Sequence, residues 1–163
     1  QRTPVEETLD AMCDLVADGK VRHVGVSNFN IGRLDRARRH ATEPIFTNQV
    51  QFSPYWPQSG MQDYCAIHDV LLTAYSPLGH GAVLDDPVLA EVGSRYDKSA
   101  VQVALRWLLQ QGVATVSKAT SREHIEANFD VFDFELTPAE VETVRQPSRG
   151  RALKGFVRGY LPG

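Results

Sequence analysis

The pattern that most constrains this chain is a helix followed by a short apolar strand, repeated along the sequence. Apolar residues recur every three or four positions in a first helical segment that ends at Gly19, and residues 21–26 then form a predicted strand. Further strands are predicted at 45–52, 70–75 and 113–116, each followed by helical periodicity. Strands that alternate with helices pair in parallel through right-handed crossovers. The sequence therefore predicts a parallel α/β sheet buried on both faces.

Two architectures satisfy this alternation, an open doubly wound sheet and a piece of a (β/α)8 barrel. No GxGxxG sequence follows any predicted strand, which disfavours the dinucleotide-binding form of the open sheet. Periodicity by itself does not choose between the two architectures, because both bury apolar parallel strands under helices.

Helix starts and loops divide the chain further. Thr3 with Glu6 and Thr137 with Glu140 have the spacing of capping boxes, and Ser99 is a third predicted cap. Residues 76–81 are predicted to form a loop, followed by a helix at about 87–96. Periodicity is lost beyond residue 146. One domain is therefore predicted over residues 1–146, with an irregular tail over 147–163.

Composition excludes several classes of function. The 163 residues are 42% hydrophobic and 23% charged with a net charge of −3, as expected for a soluble globular domain that binds neither nucleic acid nor membranes. Cys13 and Cys65 lie far apart, which favours free thiols and a cytoplasmic location. The five histidines form no HxH or HExxH group, so no metal site is predicted.

Polar and aromatic side chains stand where the predicted strands end, which is where parallel sheets and barrels bind ligands. Ser, Asn and Gln amides and hydroxyls can pair with a carboxamide, an aromatic face can carry a pyridine ring, and a lysine at a helix start can hold a phosphate. The groups are Ser27-Asn28, Asn48-Gln49, Tyr75 to Gly79, and Lys118 with Thr120 and Ser121. Together they predict a nicotinamide nucleotide site. Taken singly, Ser27-Asn28 is more typical of a turn or helix cap, Tyr75 of a core residue and Lys118 of a solvated lysine, while Asn48 or Gln49 fits a buried amide equally well.

At these same residues the chain resembles the aldo-keto reductases, over about residues 2–146. The strongest matching motifs are Gly-Val-Ser-Asn-Phe at 25–29 and Tyr-Ser-Pro-Leu-Gly at 75–79, in this order and at the expected separation. Asn-Gln-Val-Gln-Phe at 48–52 and Asn-Phe-Asp-Val-Phe-Asp-Phe-Glu-Leu-Thr at 128–137 add to them. The resemblance implies the C-terminal half of a (β/α)8 TIM barrel, with four parallel strands and flanking helices, from an enzyme that reduces aldehydes and ketones.

The resemblance also implies which residues bind the cofactor, NADPH, with NADH as the alternative. Ser27, Asn28 and Gln49 would hold the carboxamide, and Tyr75 would stack on the nicotinamide ring. The pyrophosphate would be lined by Ser76, Leu78, Gly79, His80 and Gly81, and the adenosine end by Lys118, Ala119, Thr120, Ser121, His124 and Asn128. The family usually has serine at Ala119 and arginine at His124, so the contact with a 2′-phosphate would depend on Lys118.

The family's catalytic aspartate, tyrosine, lysine and histidine belong to the first four strands, which have no counterpart here, so no catalytic residue is assigned. The chain is expected to contribute the cofactor site of a longer reductase and to be inactive alone. Its expected partners are a small carbonyl substrate and the missing N-terminal half barrel. The alternative is a catalytically inactive half barrel that serves as a nucleotide-binding or assembly module.

Overall fold

The computed structural model describes residues 3–145, so the predicted tail at 147–163 lies outside the described residues. Within this range the helices and strands alternate as the periodicity predicts. The helices are α1 Val5–Ala17, α2 Ile31–His40, α3 Ser59–Ile67, α4 Pro87–Ser94, α5 Ala100–Gln110, α6 Arg122–Phe129 and α7 Pro138–Arg145. The strands are β1 Val24–Ser27, β2 Ile45–Gln51, β3 Leu71–Tyr75 and β4 Ala114–Val116, and a 3-10 segment covers Gly79–Asp85. No helix among residues 3–145 combines the length and the apolar character needed to cross a membrane.

The four strands form one parallel sheet in the order β1-β2-β3-β4. β1 pairs with β2 in a register that places Val26 opposite Asn48 and Ser27 opposite Gln49. Sequential neighbours in a parallel sheet require a crossover between each pair of strands, and the intervening helical segments supply it. The predicted parallel α/β sheet is therefore confirmed.

The described residues fall into two compact units. The first comprises the residues up to Val50 together with Ser59–Thr73. In this unit α1 and α2 bury Leu9, Cys13, Leu34 and Ala37, which recur at the three- and four-residue spacings of an amphipathic helix. The buried thiols of Cys13 and Cys65 are both free, as the sequence predicts.

The second unit comprises Gln51–Gln58 and the residues from Ala74 onward. Its core centres on α5, whose Trp107 is fully buried and packs edge-on against Phe52 with 5.7 Å between ring centroids. The indole Nε1 of Trp107 donates a hydrogen bond of 3.0 Å to the backbone oxygen of Val141. A buried indole thus keeps its polar group satisfied, as a packed interior requires.

Two of the three predicted helix caps are confirmed and one is wrong. Ser99 forms a full capping box with Gln102, and Thr137 exchanges hydrogen bonds with Glu140 at the start of α7. At α1, by contrast, Pro4 occupies the N-cap position and no side chain caps the helix. Because α1 begins at Val5, Glu6 is the second helical residue and lies too early for the reciprocal bond of a capping box.

Candidate functional site

In the first unit, the carboxyl ends of β1 and β2 are joined through one carbonyl. The Gln49 backbone oxygen accepts hydrogen bonds from the Ser27 hydroxyl at 3.1 Å and from the backbone N–H of Asn28 at 2.9 Å. Asn28 has φ +56°, a left-handed conformation that asparagine adopts more readily than most residues. The structure therefore brings together the three residues predicted to hold a carboxamide, Ser27, Asn28 and Gln49.

Of the two amides predicted within β2, Asn48 has a structural role. Its side chain is fully buried, and its amide donates to the Phe29 backbone oxygen at 3.0 Å while its Oδ1 accepts from the Phe29 amide at 3.4 Å. These bonds hold the turn between β1 and α2, in the way a peptide group of a neighbouring strand would. The buried-amide interpretation thus applies to Asn48, and Gln49 remains the candidate for ligand contact.

In the second unit, the residues after β3 have an irregular backbone. Ser76, Gly79, His80 and Gly81 all have positive φ, between 51° and 88°. Gly79 cannot carry a side chain, because a Cβ there would lie 2.6 Å from Cδ2 of Tyr55. Tyr75 and Leu78 are less exposed than His80, which lies open to solvent. The loop predicted at 76–81 is confirmed up to Leu78, and from Gly79 the chain continues as 3-10 turns to Asp85.

The residues after β4 lead into the N-terminus of α6. Lys118 lies three residues before Ser121, with Ala119 and Thr120 between them. Ser121, rather than Thr120, caps the helix: its hydroxyl accepts from the His124 backbone N–H at 3.2 Å. A lysine side chain therefore stands close in sequence to the start of a helix whose free N–H groups and dipole favour an anion.

Two further predicted residues lie on α6 itself. The His124 side chain is exposed, while Asn128 is half-buried and its amide Nδ2 donates to the Ser117 hydroxyl at 3.5 Å. This bond ties the last turn of α6 to the residue that follows β4. Lys118, Ala119, Ser121, His124 and Asn128 are thus carried by one continuous segment, so their spacing along it is set by local structure.

A buried tyrosine–aspartate pair in the second unit was missed from the sequence. Tyr55 is 7% exposed, and its hydroxyl donates to Asp86 Oδ2 at 2.7 Å. Asp86 also caps α4, where Oδ1 accepts from the Val88 and Leu89 amides. Aspartate followed by proline at a helix start is a recognisable capping signal, but nothing local identifies Tyr55 as its partner.

No group of three or more histidine, cysteine, aspartate or glutamate side chains among residues 3–145 is arranged to hold a metal ion. The donors at the strand ends are instead hydroxyls, amides, a lysine and backbone N–H groups. These are ligands for a carboxamide and for phosphate. The fold is that of a parallel α/β protein, and polar candidate residues follow its strands.

Comparison with known proteins identifies the family. The Aldo/keto reductase family matches residues 1–148, and the chain belongs to this family. It is 39% identical to glyoxal reductase of Bacillus subtilis, covering 85% of this chain and 50% of that protein. It is 33% identical to 9,11-endoperoxide prostaglandin H2 reductase of Trypanosoma cruzi, covering 96% of this chain and 56% of that protein. The chain thus spans about half the length of these curated relatives.

Solved structures agree. A putative 2,5-diketo-D-gluconic acid reductase B superimposes with a TM-score of 0.87 at 40% identity, covering 89% of this chain and 52% of that one. A Bombyx mori aldo-keto reductase in complex with NADP gives a TM-score of 0.85 at 31% identity, covering 89% and 50%. These neighbours are TIM barrels, of which the chain matches about half. The predicted half of a (β/α)8 barrel is confirmed.

Proposed function

We propose that this chain forms the nicotinamide-cofactor site of an aldo-keto reductase, and that the whole protein uses NADPH to reduce small aldehydes and ketones to alcohols. Family membership supports carbonyl reduction in general, and structures of relatives with bound NADPH or NADP support the cofactor. The chemistry that such a cofactor supplies when bound is hydride donation to the carbonyl carbon. The residues of this chain would bind the cofactor and orient it.

The observation that carries the proposal is the pairing of Lys118 with the N-terminus of α6. Ser121 occupies the cap, and the exposed Lys118 precedes it by three residues, between β4 and α6. Helix dipole, backbone N–H groups and lysine charge favour a phosphate at the same place. The adenosine 2′-phosphate of NADPH is the group we assign to it.

At the nicotinamide end of the cofactor, hydrogen bonds already formed within the chain influence how the carboxamide can be bound. The single hydrogen of the Ser27 hydroxyl is committed to the Gln49 carbonyl. While it keeps this bond, Ser27 can accept a hydrogen bond from the carboxamide NH₂. The Gln49 side-chain amide, which both donates and accepts, is the residue we assign to the carboxamide oxygen. The half-buried Tyr75 is the ring we assign to stacking on the nicotinamide.

Three described tyrosines donate hydrogen bonds to carboxylates: Tyr55 to Asp86, Tyr64 to Asp35 and Tyr96 to Glu140. None of the three is suited to be the general acid of the reaction. Burial raises the pKa of Tyr64, with Asp35 adding to the effect, and the hydrogen bond to Glu140 raises the pKa of Tyr96. A proton donor to a developing alkoxide needs the opposite shift. With Tyr75 assigned to stacking on the nicotinamide, we infer that no tyrosine among residues 3–145 serves as the acid.

Cofactor preference gives the first test. Lys118→Ala should weaken NADPH binding by about 1–3 kcal/mol and NADH binding much less, because the ammonium is expected to contact only the 2′-phosphate. His124 and Ala119 lack the guanidinium and hydroxyl that could compensate. Titration of the chain with each nucleotide, followed by quenching of tryptophan fluorescence, measures both affinities.

A suitable control is Lys20→Ala, an exposed lysine in the first unit that pairs with Asp18 at 2.9 Å. It changes the net charge by the same amount and should leave both affinities within about twofold of the parent chain, since surface pairs contribute little. Equal losses of NADPH and NADH affinity in Lys118→Ala would show that this lysine does not contact the 2′-phosphate. An absence of binding by the parent chain would contradict the proposed cofactor site.

We also propose a partner, the amino-terminal half of the barrel. It would dock on a surface of this chain that includes an apolar groove beside β4. The groove has a volume of about 420 Å³ and lies between β4, α5 and α6. Ile125, Phe129 and Phe132 line it and are 53%, 75% and 65% exposed. Soluble proteins rarely leave such large apolar side chains clustered at the surface without a partner.

Two observations favour a β-strand with its helix as the occupant. β4 is the last strand in the sheet order, and an edge strand presents unpaired backbone groups. The Thr115 hydroxyl, which belongs to the groove lining, is buried without a hydrogen-bond partner among the described residues. An unsatisfied buried hydroxyl beside a free strand edge is the environment that an added strand would complete.

A further inference from the structure

The 3-10 segment Gly79–Asp85, part of which is proposed to line the cofactor pyrophosphate, is anchored by its buried residues Gly79, Ala82 and Val83. His80, Leu84 and Asp85 are exposed, and Leu84 has 68% of its surface open to solvent. His80 and Gly81 are left-handed, so the segment is two short turns joined by a kink rather than a continuous helix. Short 3-10 turns have poorer hydrogen-bond geometry than an α-helix, so contacts with surrounding residues contribute more to their order.

Tyr55 contacts Gly79, the first residue of this segment, and Asp86, the residue that follows it. The ring of Tyr55 packs against Gly79, where an added Cβ would fall 2.6 Å from Cδ2 and 3.0 Å from Cε2. At the other end the Tyr55 hydroxyl donates to Asp86 Oδ2 at 2.7 Å. The two contacts are made by different parts of one side chain, so Tyr55 fixes the separation between the first residue of the segment and the residue that follows it.

The hydrogen bond from the Tyr55 hydroxyl to Asp86 is expected to be strong because the carboxylate is buried. Asp86 is 4% exposed, and its other oxygen accepts from the amides of Val88 and Leu89, at 2.9 and 3.3 Å. A buried carboxylate has few alternative partners, and a hydrogen bond to it is shorter and stronger than one between neutral groups. Tyr55 is in turn held by its own turn, where its amide donates to the Ser53 hydroxyl and Ser53 bridges to Trp56.

We propose that Tyr55 is a positioning residue for cofactor binding, which acts through Gly79 and Asp86 to hold the pyrophosphate-lining segment in its binding conformation. This inference rests on the proposed function. Without the hydroxyl, Asp86 still starts α4 but no longer pins the end of the segment to the turn at 53–56. Ligand binding must then order the segment, and the cost of that ordering is lost from the affinity.

The test is Tyr55→Phe, which keeps the ring against Gly79 and removes only the hydroxyl. We expect about 5- to 20-fold weaker binding of both NADPH and NADH, because only part of the free energy of a hydrogen bond to a charged group would be lost from the affinity. Adenosine 2′,5′-bisphosphate has no pyrophosphate and should bind within about twofold of the parent chain, because it does not need the ordered segment. Amide hydrogen exchange in residues 79–86 should also become faster, which reports the segment directly without any ligand.

Tyr96→Phe is the matched control. It removes another tyrosine–carboxylate hydrogen bond of the same unit, 2.5 Å long to Glu140, from residues outside the segment. It should lower stability without changing nucleotide affinity or exchange at 79–86. A purely structural role for Tyr55 predicts that the two variants behave alike.

Each outcome of the titrations supports or overturns the inference. Unchanged NADPH and NADH affinity in Tyr55→Phe overturns it, and so does an equal loss for the bisphosphate, which would indicate general destabilisation. In both cases the parent chain still binds NADPH, and the proposed cofactor site stands. Failure of the parent chain to bind any of the three nucleotides overturns the proposed function, and the inference with it.

Discussion

The chain by itself is expected to oxidise NADPH in the presence of an aromatic aldehyde no faster than a protein-free blank. The described tyrosines with raised pKa, Tyr64 and Tyr96, are poor proton donors, and Tyr55 is bound to a buried aspartate. General acid catalysis contributes about 10²–10⁴-fold to reactions of this kind, so its loss leaves turnover below detection. The absorbance of NADPH at a saturating aldehyde concentration is the measurement.

Adding the amino-terminal half of a related reductase should restore activity if the groove beside β4 is a docking surface. Phe129→Asp places a charge on a groove residue that is 75% exposed, and should abolish the restored activity. Ala119 and Asn128 line the same groove, so NADPH affinity of this variant is measured as well and should be unchanged. Ile67→Asp is the control, because Ile67 is 76% exposed but lies on α3 in the other unit. Clear aldehyde-dependent oxidation by the chain alone would refute the expectation that it is inactive. Equal restoration in both variants would refute the docking surface.

Replacing Trp107 by alanine should lower the free energy of unfolding by about 3–5 kcal/mol, the usual cost of removing a large buried aromatic side chain. Trp107 is fully buried, packs against Phe52, and satisfies the Val141 carbonyl through its indole N–H. The substitution therefore leaves both a cavity and a backbone oxygen that loses this bond. Urea unfolding followed by circular dichroism gives the change in free energy.

Trp56→Ala provides the comparison, since Trp56 has 43% of its surface exposed. It removes the same number of atoms but less buried area, and should therefore cost clearly less than Trp107→Ala. Similar losses in the two variants would mean that α5 is not the centre of the second unit's core.

Local signals explain why most elements could be predicted. Helical periodicity at 100–110 and the Ser99 cap specify α5 within a few neighbouring residues, and the structure reproduces both. The failure at α1 is also local. Thr3 and Glu6 have the spacing of a capping box, but the helix starts one residue later than that spacing requires, at Val5. A boundary shift of a single residue is enough to remove a cap, because each capping bond reaches one particular N–H.

The sequence indicates candidate site residues where chemistry and chain position coincide, as they do for Lys118 and the α6 start. They were less predictable where two similar residues are adjacent. Asn48 and Gln49 are adjacent in β2, and the register between β1 and β2 decides their roles. The Asn48 side chain bonds to Phe29, whereas the Gln49 carbonyl accepts hydrogen bonds from Ser27 and Asn28. A shift of one residue in a strand exchanges the two faces, so composition cannot assign the roles.

The sequence by itself determined the alternation of helices and strands, the family, and the segments that carry candidate ligand groups. These depend on periodicity, caps and short motifs, all of which act between near neighbours. Only the tertiary structure decided which polar side chains already form hydrogen bonds within the chain. The Tyr55 hydroxyl reaches Asp86 across 31 positions, and the Ser27 hydroxyl reaches Gln49 across 22. Such bonds follow from how distant segments pack, because residues far apart in the sequence become neighbours only in the folded chain.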